Sequence, residues 1–201
     1  TPDTYADTER IIGDWFQKTG NREKVVLASK IAGGGDYTKH IRTGGFTKEN
    51  ITQAIEGSLQ RLQTDYLDLY QLHWPSRGVN CFGVRDYPYQ TATKEAENHL
   101  EILETLTAFV KAGTLRVIGL SNETPWGTMK YLQAANAHNL VRPVTIQNSY
   151  SMIHRGYEVG MSEVSMREDI GLLAYSPLAQ GVLSGKYLDG KSPEGSRGNL
   201  F

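Results

Sequence analysis

The sequence predicts an α/β protein built on a parallel sheet, and three observations carry that reading. Five short apolar runs, at residues 25–29, 66–73, 117–121, 144–148 and 171–175, are continuous rather than alternating, as strands covered on both faces are. Segments with apolar residues at helical spacing lie between them. The last three runs start 27 residues apart, the room that one strand, one helix and two turns need.

Taken in order, Asp7 stands where it would cap a first helix that buries Ile11, Ile12, Trp15 and Phe16 and closes at Gly20. The run 25–29, Val-Val-Leu-Ala-Ser, is the first strand. Residues 50–62 then set Ile51, Ala54, Ile55, Leu59 and Leu62 on one stripe. After the strand at 66–73, residues 99–112 do the same with Leu100, Leu103, Leu106 and Val110, and stop at Gly113, suited to a left-handed cap. The strand at 117–121 leads to a helix at 125–138, with Thr124 as N-cap and Pro125 at its first position. The strand at 144–148 and a short helix at 157–168 precede the last strand, 171–175.

With the second strand taken to start near residue 67, the first two strand-to-strand intervals are longer, 42 and 50 residues. Their excess falls directly after strands, at 31–49 and 74–98, rich in Gly, Pro, Thr, Asn and Tyr. Loops at the carboxyl ends of parallel strands carry ligand sites, so these insertions mark the working face. An open Rossmann-type sheet would show G-x-G-x-x-G after its first strand. Gly33-Gly34-Gly35 lacks that spacing and opens no helical pattern. A (β/α)8 barrel needs eight strands and about 250 residues. Five strands in 201 residues leave two architectures standing: an open sheet, or an excerpt of a barrel.

Composition narrows the function. The chain has 21 basic and 22 acidic residues, a formal charge of -1, which gives no footprint for nucleic acid or an anionic membrane. No apolar run approaches the 18 or so residues of a membrane span. A single cysteine, Cys81, excludes an internal disulfide and fits a reducing, cytoplasmic compartment. The chain opens Thr-Pro-Asp without an initiator Met or an apolar leader, and reads as incomplete.

Several strands end in side chains that chemistry uses. Lys30 closes the first strand and His73 the second; Ser121-Asn122, Gln147-Asn148 and Tyr175-Ser176 close the other three. Singly, a strand-end lysine reaching water or a hydrogen-bonded structural histidine explains each. Together they converge on one pocket, where each must be desolvated and needs a partner, and stability alone gives no reason for that.

These residues resemble the aldo-keto reductases. The resemblance rests on Ser29-Lys30, on Asp65-Tyr66-Leu67-Asp68-Leu69-Tyr70-Gln71-Leu72-His73-Trp74-Pro75, on Gly119-Leu120-Ser121-Asn122, and on the stretch from Ala174 through Tyr175-Ser176-Pro177 to Tyr187. Asn80-Cys81-Phe82-Gly83 and Thr145-Ile146-Gln147-Asn148 look most like the bacterial Tas-like branch. The resemblance implies a (β/α)8 TIM barrel whose third to seventh strands are represented here. The chain would then be a single barrel domain over residues 1–201, incomplete at both ends.

The same resemblance implies an oxidoreductase that transfers a hydride from NADPH to an aldehyde or ketone. In that chemistry a Tyr is general acid, a Lys lowers its pKa, an Asp pairs with the Lys and a His orients the carbonyl. Lys30 and His73 match the Lys and the His. The Asp and the Tyr belong to an Asp-x-Ala-x-x-Tyr stretch upstream of this chain; Asp3-Thr4-Tyr5 has the wrong spacing and is given neither role. By resemblance, Ser121, Asn122 and Gln147 hold the nicotinamide carboxamide and Tyr175 stacks on its ring. Ser176, Pro177, Leu178, Ala179 and Gln180 wrap the pyrophosphate. Lys186 and Arg197 bring positive charge toward the phosphates.

Trp74, beside His73, is the candidate substrate contact. Phe82, Tyr87 and Tyr89 in the same loop either line an aromatic pocket or tether the loop. The contacts that select NADP over NAD are expected after Phe201. The implied partner is a small-molecule carbonyl compound, with neither nucleic acid nor membrane. Two other readings fit the same features: an inactive truncated barrel, and a nicotinamide-binding regulatory subunit like the potassium-channel β-subunits. Against the latter, those subunits carry Asn where this chain has His73.

Overall fold

The computed structural model describes residues 5–82, 84, 86–90 and 97–199. Its elements alternate: α1 Asp7–Thr19, β1 Ala28–Ile31, α2 Lys48–Leu62, β2 Leu67–Leu72, α3 His99–Lys111, β3 Leu115–Ser121, α4 Pro125–His138, β4 Pro143–Ser149, α5 Met161–Glu168 and β5 Gly171–Tyr175. The strands form one parallel sheet in the order β1-β2-β3-β4-β5, with Lys30 opposite Gln71 and Ser121 opposite Gln147. A doubly wound sheet reverses its strand order at the ligand crevice. This order never reverses and each helix neighbours the next, which is the arrangement of a segment of a (β/α)8 barrel.

Local chemistry explains most boundaries. Thr47 caps α2 by accepting from Asn50 N, and Asn98 caps α3 by accepting from Glu101 N. Thr124 accepts from Gly127 N at 3.2 Å and Pro125 opens α4, as the sequence predicts. Gly113 takes φ 79° just past α3. The core lies between helices and sheet: Ile51, Ile55, Leu103 and Leu106 from the helices meet Ile31, Tyr70, Ile118, Leu120 and Ile146 from the strands. Each fully buried Leu or Ile contributes about 2 kcal/mol.

Three expectations are corrected. Asp7 does not cap α1; Ala6, at φ 64°, precedes the helix and no side chain caps it. Nor does α1 bury Ile11 and Trp15, which are 68% and 44% exposed. It turns Gly13 and Phe16 inward, because a Cβ at residue 13 would lie 2.4 Å from the Arg61 carbonyl oxygen. The first strand starts later than residue 25: Val26 is 82% exposed, and Leu27 spends its backbone on Asp68 and Leu69 before pairing begins at Ala28. β5 has the foreseen limits, and among the described strands it pairs with β4.

Asp68 anchors the amino-terminal end of the sheet. Its carboxylate accepts from Leu27 N and Arg22 Nη2, each at 2.9 Å, and from Arg116 Nη1 at 2.5 Å. Burial alone would raise this carboxyl; the backbone donor and the two guanidiniums outweigh it and hold the pKa below the ordinary value.

Candidate functional site

The polar strand ends gather at the opposite, carboxyl end of the sheet. Lys30 of β1 and His73, just past β2, line a cavity of about 180 Å³ together with Tyr5, Glu9, Arg42 and Arg61. Glu9 is engaged there, accepting from Arg61 Nε at 2.7 Å and Ser29 Oγ at 2.6 Å. Burial lowers the Lys30 pKa. Burial first, and then the Lys30 charge, pushes His73 down to about 4, so its imidazole is neutral at physiological pH. A neutral ring carries one N–H to donate and one lone pair to accept.

Trp74 packs on His73 with ring centroids 4.5 Å apart, and Phe82 meets Trp74 edge-on at 5.8 Å. Gly33 makes room for this arrangement, since a Cβ there would lie 2.5 Å from the Trp74 ring and backbone. Trp74 and Phe82 thus form one cluster at His73, whereas Tyr87 and Tyr89 pair with each other at 5.0 Å and are exposed. Gly83, Asp3 and Thr4 lie outside the described residues. Tyr5 lines the small cavity, with the Arg61 guanidinium over its ring at 5.6 Å.

A larger cleft, about 950 Å³, opens beside the ends of β3, β4 and β5. Its walls include Asn122, Asn148, Tyr175, Ser176, Ala179 and Gln180, together with Cys81 and Phe82. Asn122 joins the cleft to the small cavity. Its Nδ2 donates to the His73 carbonyl oxygen at 2.9 Å, and its Oδ1 accepts the Tyr175 hydroxyl proton at 2.8 Å. Asn122 holds φ 52°, a left-handed backbone fixed in part by its N–H on Gln147 O at 3.0 Å. Ser121 stands behind it, buried, donating to the same Gln147 oxygen at 2.9 Å. After β5, Ser176, Ala179, Gln180 and Gly181 all take positive φ, which curls the segment into a tight concave turn.

The residues that the sequence points to fall into four groups. Lys30, His73 and Trp74 meet at the small cavity, and Asn122, Tyr175, Ser176, Ala179 and Gln180 line the cleft. Ser121 and Gln147 back the cleft wall, and Pro177 and Leu178 complete the turn without lining it. Lys186 and Arg197 lie further along. The Lys186 chain crosses Gly181 and its Nζ sits 5.2 Å from the Tyr187 ring centre, while the turn at Arg197–Asn199 packs against the segment Ala179–Ser184.

The structure adds a cluster that residue patterns did not single out. Arg77 donates from Nη1 to Glu97 at 3.0 Å and to Glu123 at 2.9 Å, and its Nη2 also bonds Glu123. The signal for it was an arginine four residues after His73 and a glutamate next to Asn122. Among the described residues no group of His, Cys, Asp and Glu is arranged to hold a metal ion, and no helix is long and apolar enough to cross a membrane.

A profile of the aldo/keto reductase family matches residues 1–199. The chain is 48% identical to the protein Tas of Escherichia coli, a match that spans all of this chain and 58% of that protein. An aldo-keto reductase of Babesia bovis is 38% identical over 85% of this chain and 64% of its own length. Among solved structures, an aldo/keto reductase of Klebsiella pneumoniae, crystallised with NADP and acetate, superposes with a TM-score of 0.63 at 27% identity, covering 90% of this chain and 51% of that one. This chain therefore spans little more than half the length of the first relative and of the solved structure. Family profile, sequential parallel sheet and strand-end polar residues agree: the chain belongs to the aldo/keto reductase family.

Proposed function

We propose that the protein is an NADP(H)-dependent aldo-keto reductase that reduces aldehydes or ketones to alcohols. The observation that carries this reading is the single hydrogen bond from Asn122 to His73. It joins a cleft large enough for a dinucleotide to a small cavity holding Lys30 and a neutral histidine.

The residues present fit a nicotinamide dinucleotide. Asn148 Oδ1, a buried acceptor on a residue of the cleft wall, lacks a partner among the described residues, so it can accept from a carboxamide. The turn from Ser176 to Gln180 presents a concave backbone of the kind that binds phosphate. When bound, NADPH supplies the hydride.

The chain's own groups do the rest. Ser121, Asn122 and Gln147 orient the carboxamide, and the Tyr175 ring backs the nicotinamide. Lys186 and Arg197 add positive charge near the phosphates. His73, uncharged, offers a ring N–H to the carbonyl oxygen and fixes the face turned to the cofactor, with Trp74 as an apolar wall. Lys30 brings positive charge toward the oxygen as it takes up negative charge. The general acid is the Tyr of the family's Asp-x-Ala-x-x-Tyr stretch, a pattern this chain does not contain; Tyr5 is not given that role. The substrate is a small molecule, and the lone Cys81 suits the reducing cytoplasm.

A steady-state assay of the protein at its natural length, with NADPH and a panel of aliphatic and aromatic aldehydes and ketones, tests the reading. Saturable NADPH consumption is expected. Tight NADPH binding without turnover would instead identify a nicotinamide-binding regulatory protein, and absence of both would refute the proposal.

A further inference from the structure

Arg77 lies in the loop that His73 opens, and its side chain is only 10% exposed. Besides its bonds to Glu97 and Glu123, its Nη2 reaches Thr124 Oγ1 at 3.2 Å. The two carboxylates are 6% and 4% exposed, and Glu97 also accepts from Ser76 N and, at 3.3 Å, from the Tyr131 hydroxyl. His99 Nε2 lies 3.8 Å from Glu97, but burial first, then the charges of Arg77 and Lys130, push its pKa down to about 4, so it adds no positive charge. Two buried carboxylates therefore share one guanidinium. Burial and the Glu123 charge raise the Glu97 pKa against the pull of Arg77.

An arrangement this costly is weak support for stability, because apolar residues of similar volume often serve as well. Its place in the fold suggests another role. Glu123 directly follows Asn122, whose left-handed backbone needs its surroundings to fix it. The Glu123 carbonyl oxygen accepts from Asn148 Nδ2 at 3.1 Å, which ties the residue after Asn122 to the end of β4. Asn122 in turn holds the His73 carbonyl oxygen. Arg77 thus closes a loop of bonds: down the chain from His73 to Arg77, across to Glu123, back one residue to Asn122, and again to His73.

We propose that Arg77 is a positioning residue: by gripping Glu123 it fixes the Asn122 carboxamide between His73 and Tyr175, and so sets the cofactor grip against the group that orients the carbonyl. The catalytic part of this assignment rests on the reductase reading above. The positioning part rests on the bonds alone.

Three variants, made in the protein at its natural length, decide it: Arg77→Lys, Glu123→Gln and Glu97→Gln. Hydrogen exchange of the Asn122 side-chain amide, followed by NMR, reads the positioning without cofactor; NADPH titration, KM and kcat read its consequence. Arg77→Lys and Glu123→Gln should speed the exchange and raise the KM for NADPH by about tenfold or more, as misplacement of a binding group does. Glu97→Gln keeps the Arg77–Glu123 bond, so it should leave exchange and affinity near those of the parent while lowering the melting temperature. An Asn122 amide unmoved by both Arg77→Lys and Glu123→Gln would overturn the proposal. So would affinity losses that simply track melting temperature across all three variants. Should the parent take up no NADPH, the reductase reading falls, and the exchange rates still decide the role of Arg77.

Discussion

Tyr175 donates its hydroxyl proton to Asn122 Oδ1 at 2.8 Å, and the same carboxamide donates to the His73 carbonyl oxygen at 2.9 Å. The ends of β5, β3 and β2 are thereby tied through one side chain. Removing the hydroxyl in Tyr175→Phe should cost about 1 kcal/mol of NADPH affinity, the net worth of one hydrogen bond. Tyr175→Ala loses the ring as well, at about 1–3 kcal/mol more for a stacked base. Fluorescence titration of the two variants separates the contributions, and equal losses would mean that the ring does not stack.

In the proposed mechanism His73 acts on the carbonyl, and its bond to Asn122 runs through its backbone oxygen. His73→Ala should lower kcat on the order of 10² or more, the scale of a lost proton-handling or orienting side chain. The backbone bond to Asn122 survives the substitution, so NADPH affinity should barely change. Stopped-flow binding alongside steady-state kinetics checks the split.

Acid should destabilise the protein in two stages. His73 and His99 both titrate in the folded state near pH 4, below the unfolded value near 6.5. The unfolded chain therefore binds protons first, and the stability these residues contribute above pH 6.5 is lost as pH falls from there toward 4. Asp68, held below its ordinary value of 3.8, gives up its contribution only at lower pH, as pH falls through its folded pKa. Urea unfolding across pH should show both stages. His99→Phe should flatten the first, and Asp68→Asn the second.

Asp68→Asn should also be costly at neutral pH. It leaves Arg22, whose side chain is 14% exposed, without its carboxylate, and breaking such a buried pair costs about 3 kcal/mol or more. Asp68 lies at the end of the sheet away from the cleft, so NADPH affinity per folded molecule should not change. Calorimetry and titration of the same sample test both statements.

Lys186 is exposed and lies across Gly181, so the pull proposed for it on a phosphate would be screened by water and salt. Lys186→Ala should weaken NADPH binding by about 1 kcal/mol or less, and the difference should shrink as salt is added. Unchanged affinity at low salt would remove Lys186 from the phosphate site.

What the chain disclosed before its structure depended on how local the cause was. Thr124 and Pro125 mark the start of α4 because a cap and a fixed φ act within one turn. The limits of α1 were legible at Gly20, but its buried face was not: Gly13 meets the backbone of Arg61 and Leu62, some fifty positions away. Lys30, His73, Asn122 and Tyr175 stand out because each lies at or within one residue of the carboxyl end of a strand, and a parallel sheet brings those ends together. Arg77 and Glu123, 46 positions apart, have no such marker. Their pairing follows from the closure of one loop on the end of another strand, which neither periodicity nor composition encodes.

In the proposed mechanism the cleft holds NADPH while His73 presents a carbonyl to it. The most direct measurement is an NADPH fluorescence titration of parent and His73→Ala protein side by side, followed in each case by addition of an aromatic aldehyde. The same saturable binding is expected in both, with NADPH consumed rapidly only by the parent. Failure of the parent to bind NADPH, or equal consumption by the two proteins, would contradict that mechanism.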